Sequence, residues 1–258
     1  MENILAELMK MFPALNTMIG AGVMVFARLI GFMRLAPVFN RKEIPSMVKL
    51  SLCLIMTIVI TPFVKTDLMI MDSFFLSILL NIVVGAIIGY MAQLILLAID
   101  AGADMINMQM GLSSAMVLDP TTSSQVSILG KAMSLLGILI FINLGGVYWL
   151  IRALMRSFEI FPIYATSIPL SELVNMQYLI SMSSNVLFMG LQIAAPILLA
   201  TLGQDIILGV ISKTAPQVNV FQLSFLFKPV FGAAIMIWIL PMLIGVISDF
   251  FLSFSAIY

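Results

Sequence analysis

The chain has 258 residues, 62% of them hydrophobic and only 9% charged, with 12 Lys and Arg balanced by 12 Asp and Glu and no histidine. A soluble domain carries roughly 25% charged residues, so this composition, with a mean hydropathy of +1.18, marks an integral membrane protein in a lipid bilayer. Without histidine, the usual general base, the commonest metal ligand and the serine triads drop out. Cys53 as the single cysteine argues against a disulfide or a cysteine-based metal centre, and the scattered basic residues offer no nucleic-acid face.

The first ten residues, with Glu2, Glu7 and Lys10, do not look like a cleaved signal. A spanning helix takes about 20 apolar residues, and six stretches qualify: 14–38, 46–64, 73–98, 128–150, 177–201 and 230–255. The first carries Arg28 near its middle, where a lone charge costs about 2.5–3.5 kcal/mol. Arg28 is therefore expected to face protein and to pair with a carboxylate or a backbone carbonyl, while Arg34, nearer the end, snorkels. On that reading Arg28→Leu is tolerated and Arg28→Glu blocks assembly. The third span contains Gly85 and Gly89, a small-xxx-small pair that lets another helix come close.

Polar connections fall at 40–45, 65–72, 100–126, 151–175 and 202–229. The expected fold is an all-α integral membrane protein of about six long apolar helices, with an irregular central loop and a C-terminal helical hairpin. Two regions are expected, an N-terminal one over 1–175 and the hairpin over 176–258. Arg41, Lys42, Lys49, Lys213 and Lys228 collect on one side, against Lys10, Lys65, Arg152 and Arg156 on the other. This small bias places the 40–45 and 202–229 loops in the cytoplasm and both termini outside.

The central segment AGADMINMQMGLSSAMVLDPTTSSQ (101–125) suits neither lipid nor a tidy loop. Asp100 and Asp104 are one turn apart, with Asn107 and Gly111 following on the same helical face. Intramembrane aspartyl proteases bring their carboxylates from different helices, so this pair reads as a polar face rather than an active site. The chain has 22 methionines, and Met105, Met108, Met110 and Met116 crowd this segment. Methionine fills irregular cores, which accounts for most of them. Here, however, they run into backbone that lipid will not hold, and such backbone must be buried in protein or line a water-filled space. Gly102 and Gly111 let the chain bend, and Asp119-Pro120 ends helical structure.

Three stretches carry a resemblance. AIDAGADMINMQMGLSSAMVLDPTTSSQ with the span to FINLGGVYWLIRALMRSFEIFPI, RLIGFMRLAPVFNRKEIPSMVKLSL (28–52) and DIILGVISKTAPQVNVFQLSFLFKP (205–229) together cover most of the chain. They resemble the family of flagellar biosynthetic proteins FliR and their virulence type III secretion counterparts. Ala103 stands where that family has an acidic or amide residue, and Gly145-Gly146-Val147 where it often has a histidine.

The resemblance implies a non-enzymatic subunit, without metal or other cofactor, of the flagellar type III export gate. Such a subunit sits in the bacterial inner membrane at the basal body. Its partners would be two other small export-gate membrane proteins in a hetero-oligomer, the export switch protein, and the unfolded secreted substrates that pass through the channel. It also implies that residues 107–122 plug the lumen, with Met108, Met110, Gly111, Leu112, Met116, Asp119 and Pro120 as the plug. The hairpin loop, with Pro216, Gln217, Asn219, Phe221 and Lys228, would lie at the cytoplasmic entrance. A virulence-type gate is the alternative, and a small secondary transporter is less favoured, because midplane titratable groups and internal repeats are not evident.

Overall fold

Apolar runs this long can satisfy their backbone in lipid only as helices, and the computed structural model is built from them. It describes residues 13–64, 74–112, 117–119, 124–126, 128–164 and 176–255. Among these lie α1 (Pro13–Leu35), α2 (Ser46–Ile60) with a short 3-10 turn at Thr61–Phe63, and α3 (Phe74–Gln109). Then come two strands, β1 (Val117–Asp119) and β2 (Ser124–Val126), followed by α4 (Ile128–Asn143), α5 (Gly146–Ile160), α6 (Met176–Thr214) and α7 (Val220–Ser255). Among the described residues, five helices are long and apolar enough to cross a membrane, and α4 with α5 forms a sixth, broken candidate.

Four expectations are corrected. The third span does not stop near residue 98: α3 continues as helix to Gln109. The connection expected over 202–229 shrinks to residues 215–219, because α6 runs to Thr214 and α7 starts at Val220. Helix α7 also carries Pro229 and Pro241 without ending, as helices in an apolar setting tolerate. The span expected over 128–150 is broken between Asn143 and Gly146. Gly145 takes a φ of +76°, and a Cβ on Gly146 would run into the Phe141 ring. The central segment also holds more order than expected. β1 and β2 pair antiparallel, Val117 opposite Val126 and Asp119 opposite Ser124.

By packing, the chain divides into two compact units, residues 1–93 with 148–179, and 94–147 with 180–258. In the first, α1 buries Ala21, Met24, Val25, Leu29 and Phe32 on one face and meets α3 at glycines. A Cβ on Gly85 would strike the Arg28 carbonyl, one on Gly31 the Ile82 carbonyl, and one on Gly89 would lie 2.6 Å from the Phe32 carbonyl oxygen. Helix α2 buries only Cys53, Thr57 and Ile60, leaving Met47, Leu54, Ile55 and Ile58 exposed.

In the second unit, the C-terminal half of α3 crosses α6 where Gly102 faces Gly190. A Cβ on Gly102 would lie 2.8 Å from the Gly190 carbonyl oxygen. Gly102 thus permits close approach within a helix; it is not a bend. Helix α4 meets α7 through Phe141 and Phe251, whose ring centroids are 5.2 Å apart.

Candidate functional site

The central segment leaves α3 at a glycine stop. Met110 N donates to the Ile106 carbonyl, and Gly111 follows with a φ of +70° and open space around its Cα. Left-handed glycine after the last helical residue is the usual way such a helix ends. The root of the segment is anchored at one methionine. Met110 is buried and lies against α7, where a Cβ on Gly232 would come within 2.7 Å of its Cε. Met108, by contrast, is 70% exposed, and Leu112 is half-buried. Met116 and Pro120 lie outside the described residues, and Asp119 is placed by its backbone pairing with Ser124.

The face expected to carry Asp100, Asp104 and Asn107 is not one environment. Asp104 is exposed and Asn107 is buried, because Asn107 turns into the packed side of α3. Beside this root lies a polar layer. Gln109 Nε2 donates to Asp205 Oδ2 at 3.3 Å, and Lys228 Nζ pairs with Asp205 Oδ1 at 2.7 Å. Asn107 Oδ1 and Gln204 Oε1 are buried with no hydrogen-bond partner among the described residues. Sequence reasoning missed Gln204 and Asp205 because it took 202–229 for a loop. A usable signal existed: Asp205 and Lys228 lie almost symmetrically about Gln217, so a helical hairpin with its turn there sets them side by side.

At the hairpin turn, Pro216, Gln217 and Asn219 are exposed. Asn219 Oδ1 accepts from Gln222 N at 3.2 Å, an N-cap that starts α7. Phe221 is exposed in the first turn of α7, 5.4 Å from Phe225 between ring centroids. Phe221 and Lys228 are therefore helical rather than in the loop, and Lys228 is spent on Asp205.

Arg28, in the first unit, is fully buried. Nε and Nη2 both donate to Asn81 Oδ1, at 3.0 and 2.7 Å. Nη1 donates to Ser157 O and Oγ at 2.8 and 3.1 Å, and Nη2 to Phe161 O at 2.8 Å. A guanidinium has five N–H donors, and all five find acceptors. The two carbonyls lie at the C-terminal end of α5 and just beyond it, where the helix dipole is negative; the Ser157 carbonyl also accepts from Phe161 N at 2.9 Å. The Phe158 ring lies 4.3 Å from the guanidinium carbon, adding a cation–π contact. Asn81 is held in turn by Nδ2 donating to Ser77 O and Ile163 O at 2.8 and 2.9 Å.

A family model described as bacterial export proteins, family 1, matches residues 19–254, which takes in nearly all of the helical structure from α1 to α7. The chain belongs to that family. Among its relatives, the flagellar biosynthetic protein FliR of Escherichia coli strain K12 is 28% identical over 219 residues, covering 84% of this chain and 82% of the relative. FliR of Pectobacterium carotovorum is 30% identical over 205 residues, covering 78% and 76%. FliR of Bacillus subtilis strain 168 is 24% identical over 225 residues, covering 86% and 84%. The stretches that carried the resemblance, 28–52, the central segment and 205–229, all fall inside the family match.

Proposed function

We propose that the chain is a non-enzymatic subunit of the flagellar type III protein-export gate. It helps to form the channel that passes unfolded proteins across the bacterial inner membrane at the basal body. Residues 107–122 plug the lumen, and the turn at 215–219 faces the cytoplasmic entrance beside the export switch protein. On this reading the N-terminal region, residues 1–175, is similar to one of the two small membrane partners and the hairpin region, residues 176–258, to the other.

One observation supports this most directly. Helices α3, α6 and α7 contain 36, 39 and 36 residues, so at 1.5 Å per residue they are roughly 54 to 58 Å long. The hydrocarbon core is about 30 Å thick. Fitting such helices into it takes a tilt of nearly 60°, beyond the roughly 0–40° that membrane helices show. Yet their apolar side chains stay exposed along the length, as Ile180, Leu199 and Val210 do on α6 and Phe225, Trp238 and Leu252 on α7. Lipid alone cannot cover such a surface; neighbouring protein subunits can.

The test is affinity purification of the tagged chain from native membranes. Two other small membrane proteins are expected to come with it in a fixed ratio. Recovery of the chain alone or as a homo-oligomer contradicts the proposal.

A further inference from the structure

We infer that the first unit carries a binding site for an anionic phospholipid, in a cavity between the end of α1 and the start of α2. This rests on the residues alone and stands whether or not the chain is an export-gate subunit. The cavity has a volume of about 550 Å³. Its lining has two chemistries. Arg34, Lys42 and Lys49 supply cations, and Ile30, Leu50 and Cys53 supply an apolar wall.

The charge is in excess locally: between residues 34 and 49 there are four cations and one carboxylate, Glu43. Glu43 is engaged by Arg41, with Nε and Oε2 3.3 Å apart. Lys49 donates to the Arg41 carbonyl at 2.8 Å. Arg34 and Lys42 are exposed and have no anionic partner among the described residues. An anion is thus called for at the mouth.

The apolar side decides which anion. Leu50 lines the cavity and also belongs to an exposed stripe down α2 formed with Met47, Leu54 and Ile58, each about one turn from the next. The apolar stretch Ser46–Phe63 has 18 residues, about 27 Å, close to the thickness of the hydrocarbon core. The cations therefore sit at one interface, at headgroup depth, with an acyl-length apolar track leading away from them. A phospholipid phosphate fits the mouth and its chains fit the track. A soluble anion would leave the track uncovered.

Arg34→Gln with Lys42→Gln tests this, since both side chains are exposed and neither holds an ion pair among the described residues. The full-length protein, with whatever it assembles with, is titrated with phosphatidylglycerol, and retained lipid is counted by native mass spectrometry. The wild type is expected to retain phosphatidylglycerol about tenfold to thirtyfold more tightly than the double variant. Removing two exposed cations elsewhere, Arg152→Gln with Lys213→Gln, should leave retention unchanged. Equal loss in that control, or equal retention by the wild type and the cavity variant, overturns the site. So does phosphatidylcholine held as well as phosphatidylglycerol. Displacement by inorganic phosphate at matching concentration identifies a soluble-anion pocket and overturns the lipid assignment.

Discussion

Arg28 shows what one residue's surroundings decide. The sequence puts a charge inside a span and calls for a protein partner, a carboxylate or a backbone carbonyl. The partners found are an amide oxygen, a hydroxyl and two carbonyls at the end of α5. A backbone carbonyl was among the partners expected, but helix-end carbonyls carry no signature in residue type, so which ones, and the Asn81 amide, were not legible. The count also revises the expectation for Arg28→Leu. Leucine takes the Arg28 donors from the buried Asn81 Oδ1 and Phe161 carbonyl oxygens, each at about 1–3 kcal/mol, while the Ser157 carbonyl keeps the Phe161 N–H. We expect Arg28→Leu to lower thermal stability strongly, and Arg28→Lys to fall between, since one ammonium cannot reach acceptors spread around a fork. Melting of the solubilised protein checks this; a wild-type midpoint for Arg28→Leu contradicts it. The Asp205–Lys228 pair makes a reversible test at the same scale. Asp205→Lys should reduce the yield of folded protein, and adding Lys228→Asp should restore much of it. Two single losses that simply add would show that the pair does not hold the hairpin.

Among the elements, the glycine contacts were the most legible. Gly85 and Gly89 read as a close-packing pair, and α1 lies on both. Gly31 completes the contact from the other side and was missed, because its partner glycines lie on a different helix. Gly85→Leu should separate α1 from α3 and take the Arg28–Asn81 bonds with it, giving a loss of folded protein larger than Gly203→Leu, where a Cβ meets nothing. Similar losses for both would deny the contact its importance. Helix ends were the least legible. Polar residues at 100–109 and 205–228 read as loops, yet Asp205 is neutralised by Lys228 and Asp104 remains exposed, so neither breaks its helix. The two short strands did leave a signal, Val-Leu and Gln-Val flanking Pro-Thr-Thr-Ser, the pattern of a hairpin with a polar turn. The long helical periods on either side mask so short a pattern.

For the whole molecule, composition announces the membrane and three stretches announce the family. What composition cannot show is that three helices outrun the bilayer, which is the reason to expect partners. Orientation is open to a direct test. In a Cys53→Ser background, Gln217→Cys should react with membrane-impermeant thiol reagents from the cytoplasmic side only; labelling from the opposite side inverts the assigned topology. The central claim is that residues 107–122 close a lumen. A plug must be displaced repeatedly, so weak contacts have to hold it; at its root Met110 is buried against Gly232 and Met108 is exposed. Methionine contacts are individually small and can repack as a peptide passes. The most direct measurement is membrane conductance of cells carrying a deletion of residues 112–118, made together with recovery of the assembled complex. The account predicts an intact complex and a membrane leaky to ions and small molecules. An intact complex with no added conductance would contradict it.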